Sequence, residues 1–492
     1  MYEVYGFEQF RHCYNRVECK IEFVKKLGYI NCSTKIRMSS KEENGDLEFE
    51  QKELESIRIK VNQKWLLLSK EFVASHPGGS VINQYKDADA TQIFHAFHEG
   101  SSQAYKQLDF VEKHNKIEYP GEDPTLKGHI QPSEINVGAY DYTIEEEKSI
   151  VMNFDKLRKQ IEAEGLMDAR PWYYYRKVAE AAVMMLTGFY LQYLGWYVVS
   201  ALCIAMVWQQ LGWLTHEFCH HQPFKNRRLN DIGALFLGNF VQGFSRDWWK
   251  DKHNTHHAAT NIIDQDGDID LAPIVAMVPD DLKKYKQPLE QFFLKFIPYQ
   301  HLYFTFVLPL LRFSWTSQSL IHVFAAPGSQ YKKDQQHATI EQLTLLGHWT
   351  WVLLQLYLLP SNGVRIMYFL ISQVLSGLMI AVVVTYNHNS VEKFPEHSRL
   401  LNNFACLHIL TTRNMNPSPF IDWFWGGLNY QIEHHLFPTM PRPNLNRCSQ
   451  LVKQFCKENK LPYLVDDYMT GYMASLRLLE NVSNMANKEH SN

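Results

Sequence analysis

The stretch AAVMMLTGFYLQYLGWYVVSALCIAMVWQQLGWLT, residues 181–215, runs for 35 residues without an Asp, Glu, Lys, Arg or His and opens directly onto HEFCH, residues 216–220. A helix crosses a bilayer with about 20 apolar residues. One span would leave many over, so two short spans joined near Tyr193-Leu-Gly195 fit the length. A second apolar pair, Leu343–Val364 and Ile366–Asn387, is divided by Pro360-Ser-Asn-Gly363, a strong turn signal. The reading is four transmembrane helices, at about 178–194, 196–215, 343–360 and 365–386. Two shorter apolar runs, Ile232–Phe244 and the proline-broken Phe296–Leu311, are expected as helices lying in the interface or packed on the spans.

Lys and Arg orient these spans. Arg170, Arg176 and Lys177 precede the first, and Lys225, Arg227 and Arg228 follow the second. The first turn is uncharged and the other holds only Arg365. The positive-inside rule then puts both chain ends in the cytosol.

Three histidine clusters emerge on that same side: His216-Glu-Phe-Cys-His220, His253-Asn-Thr-His256-His257 and Gln431-Ile-Glu-His434-His435. Spacings of three and four share a helix face, so each cluster is expected to aim its imidazoles at one point. Imidazole suits iron, zinc and copper. Seven histidines exceed the four ligands of a single zinc site, and two metal ions are the simplest accounting. His388, at the cytosolic end of the fourth span, is an eighth candidate; His221 points elsewhere, and His348 reads as a hydrogen-bonded structural residue. Alone, His216-Glu217-x-x-His220 matches a membrane zinc protease with Glu217 as base, but a protease leaves the other paired histidines unexplained. An isolated HxxHH is as well read as a polar surface turn; its recurrence beside two other clusters favours ligation. Asp264-Gln-Asp-Gly-Asp268-Ile-Asp270 resembles a calcium loop, yet position twelve is Val275 where a Glu is needed. Its aspartates either orient ligand histidines or form a solvated acidic loop.

The rest of the chain divides by composition. Residues 1–56 are polar and aperiodic and read as a poorly ordered extension. Residues 57–115 read as a small α+β domain: Ile57-Arg-Ile-Lys-Val alternates as a strand, Gln92 to Ala104 as a helix. In it, His76-Pro-Gly-Gly and His98 of Phe94-His-Ala-Phe-His98 offer a histidine pair for a haem with both axial positions filled, an electron carrier; His95 competes with His98, and the bland reading is a turn plus a surface histidine. Residues 116–140 form a linker, 141–475 the membrane domain and 476–492 a tail. A net charge of −3 with no basic domain excludes nucleic-acid partners. The eight cysteines show no CxxC and no disulfide framework.

Taken together, these residues resemble the front-end fatty acyl desaturases, which fuse an N-terminal cytochrome b5 domain to a membrane desaturase with HxxxH, HxxHH and QxxHH boxes. The resemblance covers about residues 57–475, and Gln431 at the head of the third box is the front-end hallmark. It implies a cytochrome b5-like domain before an all-α membrane domain with four spans. It implies two iron ions held by His216, His220, His253, His256, His257, His388, His434 and His435 with Gln431, and haem b held by His76 and His98. It further implies Δ6 desaturation of linoleoyl and α-linolenoyl chains, on acyl-CoA or acyl-lipid, with O2 and electrons from NADH-cytochrome b5 reductase, in the endoplasmic reticulum membrane. Δ5 desaturation is the near alternative, and a sphingolipid desaturase or hydroxylase a more distant one.

Overall fold

The structure, a computed structural model, describes residues 56–127, 142–325, 335–396 and 398–491. The expected extension, apart from its last residue, and most of the expected linker lie outside them.

A three-stranded antiparallel sheet, order β1-β2-β3, opens the described chain: β1 is Ile57–Val61, β2 Lys64–Leu68 and β3 Lys116–Ile117. Asn62 and Gln63 connect β1 to β2 with φ of 49° and 62°, a two-residue turn whose left-handed pair matches the twist of the strands. The inward positions of β1 and β2, Ile59, Val61, Leu66 and Leu68, are buried with Tyr85 and Ile93. β3 pairs Ile117 with Trp65, so this region runs two residues beyond the expected end at 115; so short an edge strand has no alternation to read. The single helix expected over 92–104 is two, α1 (Thr91–His98) and α2 (Ser102–His114). Gly100, at φ +70°, breaks them in a conformation glycine adopts without steric cost.

α3 (Ile144–Ala163) begins with a capping box in which Glu146 N donates to Thr143 Oγ1 and Thr143 N to Glu146 Oε2. Its buried stripe Ile150, Phe154, Leu157 and Ile161 follows helical period, and Phe154 packs among Phe404, Phe437 and Phe455. α4 (Pro171–Tyr193) and α5 (Tyr197–Cys219) form the first long hairpin, turning at Gly195 with φ +82°. α6 (Arg246–Ala258) carries the second box. α7 (Gln335–Tyr357) and α8 (Asn362–His388) form the second long hairpin. These four long helices lie where spans are expected. α5 and α8 are long and apolar enough to cross a membrane. α4 carries Arg176, Lys177 and Glu180, and α7 carries Glu341, yet both turn apolar side chains outward, among them Leu186, Tyr190, Leu346 and Leu353. His348 on α7 bonds Phe240 O through Nδ1 at 3.2 Å, the structural role expected for it.

The short α9 (Gln431–Leu436) holds the third box. α10 (Tyr468–Ser491) absorbs the residues expected as a tail: Leu478, Leu479, Val482 and Ala486 are buried, because their spacing gives one apolar helix face. The five cysteines among the described residues are free thiols.

Candidate metal centre

The last turn of α5, the C-terminal half of α6, the end of α8 and α9 converge, and their histidines fall into two groups. His216, His220, His253, His257 and His434 place ligand atoms within 4.8 Å of one another; so do His256, His388 and His435. The expectation that each cluster aims at one point is corrected by this partition. His253 and His257 are four apart and face one group, whereas His256, about 100° around the helix from His257, faces the other. α9 divides likewise, His434 to the first group and His435 to the second.

Each box is held by its local sequence. Ser245 caps α6, its Oγ accepting from Trp248 N at 3.1 Å and donating to Glu341 Oε2 at 2.7 Å. Before α9, Gly426 and Gly427 both take left-handed φ (+63° and +83°), and a Cβ on Gly426 would lie 2.3 Å from Trp213 Cγ. Only glycine fits that turn against α5. Glu433, buried between the box residues, accepts from Asn414 Nδ2 and Tyr463 Oη, both at 2.8 Å. Burial pushes its carboxyl up to about 7.

The donor chemistry fits metal ions. Buried Nε2 atoms of His216, His220, His434 and His435 meet no hydrogen-bond partner among the described residues, a costly arrangement unless something else satisfies them. His253 Nε2 and His257 Nε2 lie 3.0 Å apart, the separation of two ligands each about 2 Å from one ion at a right angle. Burial holds His253 down to about 4 and holds His257, His434 and His435 well below the ordinary imidazole range, which favours the neutral ring that a metal ion requires. His256 is the exception. Burial opposes its charge, but the adjacent Asp266 carboxylate outweighs that and raises it.

In the second group the remaining ring nitrogens are each given away. His256 Nδ1 donates to Asp266 Oδ2 at 2.8 Å, His388 Nδ1 to Thr411 O at 3.0 Å, and His435 Nδ1 to Thr260 Oγ1 at 3.2 Å, which itself donates to His256 O at 2.7 Å. Such bonds fix the tautomer and leave Nε2 as the atom a metal ion would take. Gln431 Nε2 lies 3.1 Å from His388 Nε2, and its Oε1 is buried with no hydrogen-bond partner among the described residues. The amide sits where a fourth donor of the second group would be. Asp266 and Asp268 also approach His256 closely enough for a metal set. Their oxygens are engaged instead: Asp266 accepts from Asn261 N at 2.8 Å, and Asp268 pairs with Lys252 at 3.1 Å. Of the two readings of the acidic loop, Asp266 takes the orienting one.

Glu217 does not serve as a base at this centre. Arg442 grips it bidentately, Nε to Oε1 and Nη2 to Oε2, both at 2.5 Å and fully buried. Sequence reasoning had no means to find Arg442, 225 residues away. It also passed over Thr260 and His408, whose Nδ1 lies 3.3 Å from His435 Nδ1. Thr260 was findable, since it stands four residues after His256 on the continuing helical face.

A cavity of about 140 Å³ opens onto both groups. His216, His253, His256, His388 and Gln431 are in its lining, and Trp213, Phe244, Trp248, Trp315 and Ile380 make much of the rest apolar. A second cavity, of about 340 Å³, lies between the small sheet region and the helical part. Into it face His76 and His98, their ring centroids 6.1 Å apart, and its far wall includes His220 of the first group. His98 Nδ1 donates to Phe94 O at 2.9 Å, leaving Nε2 as the free donor atom, and burial pushes the ring down to about 4. The competing His95 bonds Tyr105 Oη and Asn62 Oδ1 through its two nitrogens. Among the contacts that seat the sheet region on the helices, Tyr85 Oη donates to Ala258 O beside the second box, Asp89 N to Asn402 Oδ1, and Arg227 Nη2 to Phe97 O.

Residues 194–466 match the fatty acid desaturase family. The chain is 60% identical over 432 residues to the Delta(6)-fatty-acid desaturase fat-3 of Caenorhabditis elegans, covering 88% of this chain and 97% of that one. It is 47% identical over 442 residues to the Delta(5) fatty acid desaturase fat-4 of the same organism, covering 89% and 98%. It is 36% identical over 430 residues to the Delta(8)-fatty-acid desaturase of Euglena gracilis, covering 85% and 94%.

Proposed function

This chain belongs to the fatty acid desaturase family and is an oxidoreductase acting on fatty acyl chains with O2; from that premise we propose that it is a front-end desaturase inserting a cis double bond at Δ6 of linoleoyl and α-linolenoyl chains. The observation that carries this reading is the meeting of residues from all three boxes in the lining of one largely apolar cavity. Greater identity to the Δ6 than to the Δ5 relative favours Δ6.

In this reading His216, His220, His253, His257 and His434 hold one iron ion, and His256, His388 and His435 with Gln431 hold a second. Bound there, the iron pair supplies the oxidising power needed to take hydrogen from an unactivated methylene. The chain's own residues do the rest. Trp213, Trp248 and Trp315 confine a flexible acyl chain so that one C–C bond rests beside the histidines. The apolar walls keep water out. Asp266, Thr411 and Thr260 hold the second-group rings in register.

His76 and His98 would hold haem b in a cytochrome b5-like domain over 57–115, and the haem, when bound, would supply single electrons originating from NADH-cytochrome b5 reductase. Fusion raises the donor's effective concentration at the metal centre. α4, α5, α7 and α8 are four spans of the endoplasmic reticulum membrane, with both termini cytosolic; the apolarity of α5 and α8 and the outward apolar residues of α4 and α7 support this. The substrate is an acyl-CoA or an acyl-lipid.

Yeast expressing the chain and fed linoleate or dihomo-γ-linolenate tests the regioselectivity. New γ-linolenate is the expected product. Arachidonate with no γ-linolenate would assign Δ5, and neither product would end the front-end reading.

A further inference from the structure

The charge around the two-histidine cavity is one-sided. The small sheet region contributes His76, His98 and apolar wall such as Val81, Ile82 and Phe94. Every charged side chain on the lining, namely Arg227, Asp231 and Lys250, comes from the helical part. Asp231 is already shared between cations, at 3.3 Å from Lys250 Nζ and 3.7 Å from Arg246 Nη1. Arg227 makes one hydrogen bond among the described residues, Nη2 to Phe97 O at 2.9 Å. A guanidinium has five donor hydrogens, and Arg227 lines the cavity with one of them given to Phe97 O.

We propose that Arg227, with Lys250 beside it, binds the carboxylates of the haem, so that the haem site is completed by the helical part rather than contained in the sheet region. The proposal rests on the haem reading above. Haem b is an apolar disc with carboxylates along one edge. A carboxylate removed from water needs a cation or several donors, and the guanidinium fork matches it bidentately. The sheet region offers the apolar slot and the axial histidines but no cation on this cavity; the helical part offers the cations. The bond from Arg227 to Phe97 O, one residue before His98, ties the same arginine to the helix that carries the axial ligand.

The test is haem loss from the purified full-length chain to excess apo-globin, followed by absorbance. It is run once with natural haem and once with haem dimethyl ester, whose carboxylates are blocked. Arg227→Gln is expected to speed loss of natural haem on the order of tenfold, the size of one hydrogen bond to a charged group, and to leave loss of the ester unchanged. Arg227→Lys, which keeps the charge, is expected to restore most of the retention. An unchanged rate for natural haem in Arg227→Gln overturns the proposal. Equal acceleration with both haems also overturns it, since Arg227 would then act only through Phe97 O. A wild-type chain that takes up no haem defeats the haem reading itself, and the proposal falls with it.

Discussion

The two histidine groups draw on the same boxes, yet they are built on different principles. The first holds five imidazoles that brace one another: His216, His220, His253 and His257 lie ring against ring at centroid distances near 5 Å, and the Trp249 ring packs on His253 at 4.1 Å.

 The second holds three imidazoles and an amide, and each ring is aimed by a hydrogen bond from its far nitrogen to Asp266, Thr411 or Thr260. A crowded set of ligands can be positioned by packing alone. A sparser one needs its orientation fixed from behind, and removing that support should cost the second group more than the first.

Four outcomes would break or sharpen this contrast, the largest first. His434→Ala removes a ligand of the crowded group, and desaturation in yeast is expected to fall below detection with a matching loss of bound iron. Retained activity would mean that packing, not ligation, is what His434 supplies. At the sparse group, Gln431→Ala is expected to abolish product formation while Gln431→His keeps part of it; normal activity in the alanine variant would remove the amide from the metal's surroundings. Asp266→Asn should weaken metal retention by about 10–100-fold in chelator competition, and Asp268→Asn, whose carboxylate stands off at 3.6 Å from His253 Nδ1 and 3.8 Å from His256 Nδ1, by much less. Equal losses would erase the distinction between the groups. The smallest effect is expected from Thr260→Val, which strips His435 Nδ1 of its acceptor and should cost about 1–3 kcal/mol of stability, read as a lowered Tm with the iron bound.

Much of this was readable along the chain. The strand Ile57–Val61 shows its alternation, and the hairpin turn at Gly195 shows in the length of the uncharged run. The box histidines show in their spacing. Boundaries set by tertiary pairing were not readable: the two-residue β3 exists only because β2 is beside it, and the end of α10 is helical because neighbouring helices cover Leu478 and Val482. Glu217 is the sharpest instance. Its motif is that of a catalytic base, and its partner Arg442 turns it into a buried structural ion pair.

The sequence by itself determined the donor types, the apolar lengths and which residues share a helix face, because those follow from side-chain chemistry and the 3.6-residue period. Only the tertiary structure decided how the donors are divided. His256 and His257 are neighbours in the chain, but they point about 100° apart, and what each one meets depends on where α5, α8 and α9 bring His220, His388, His434 and His435. Convergence of segments more than 200 residues apart is fixed by packing of the whole helical assembly, and no local pattern encodes it.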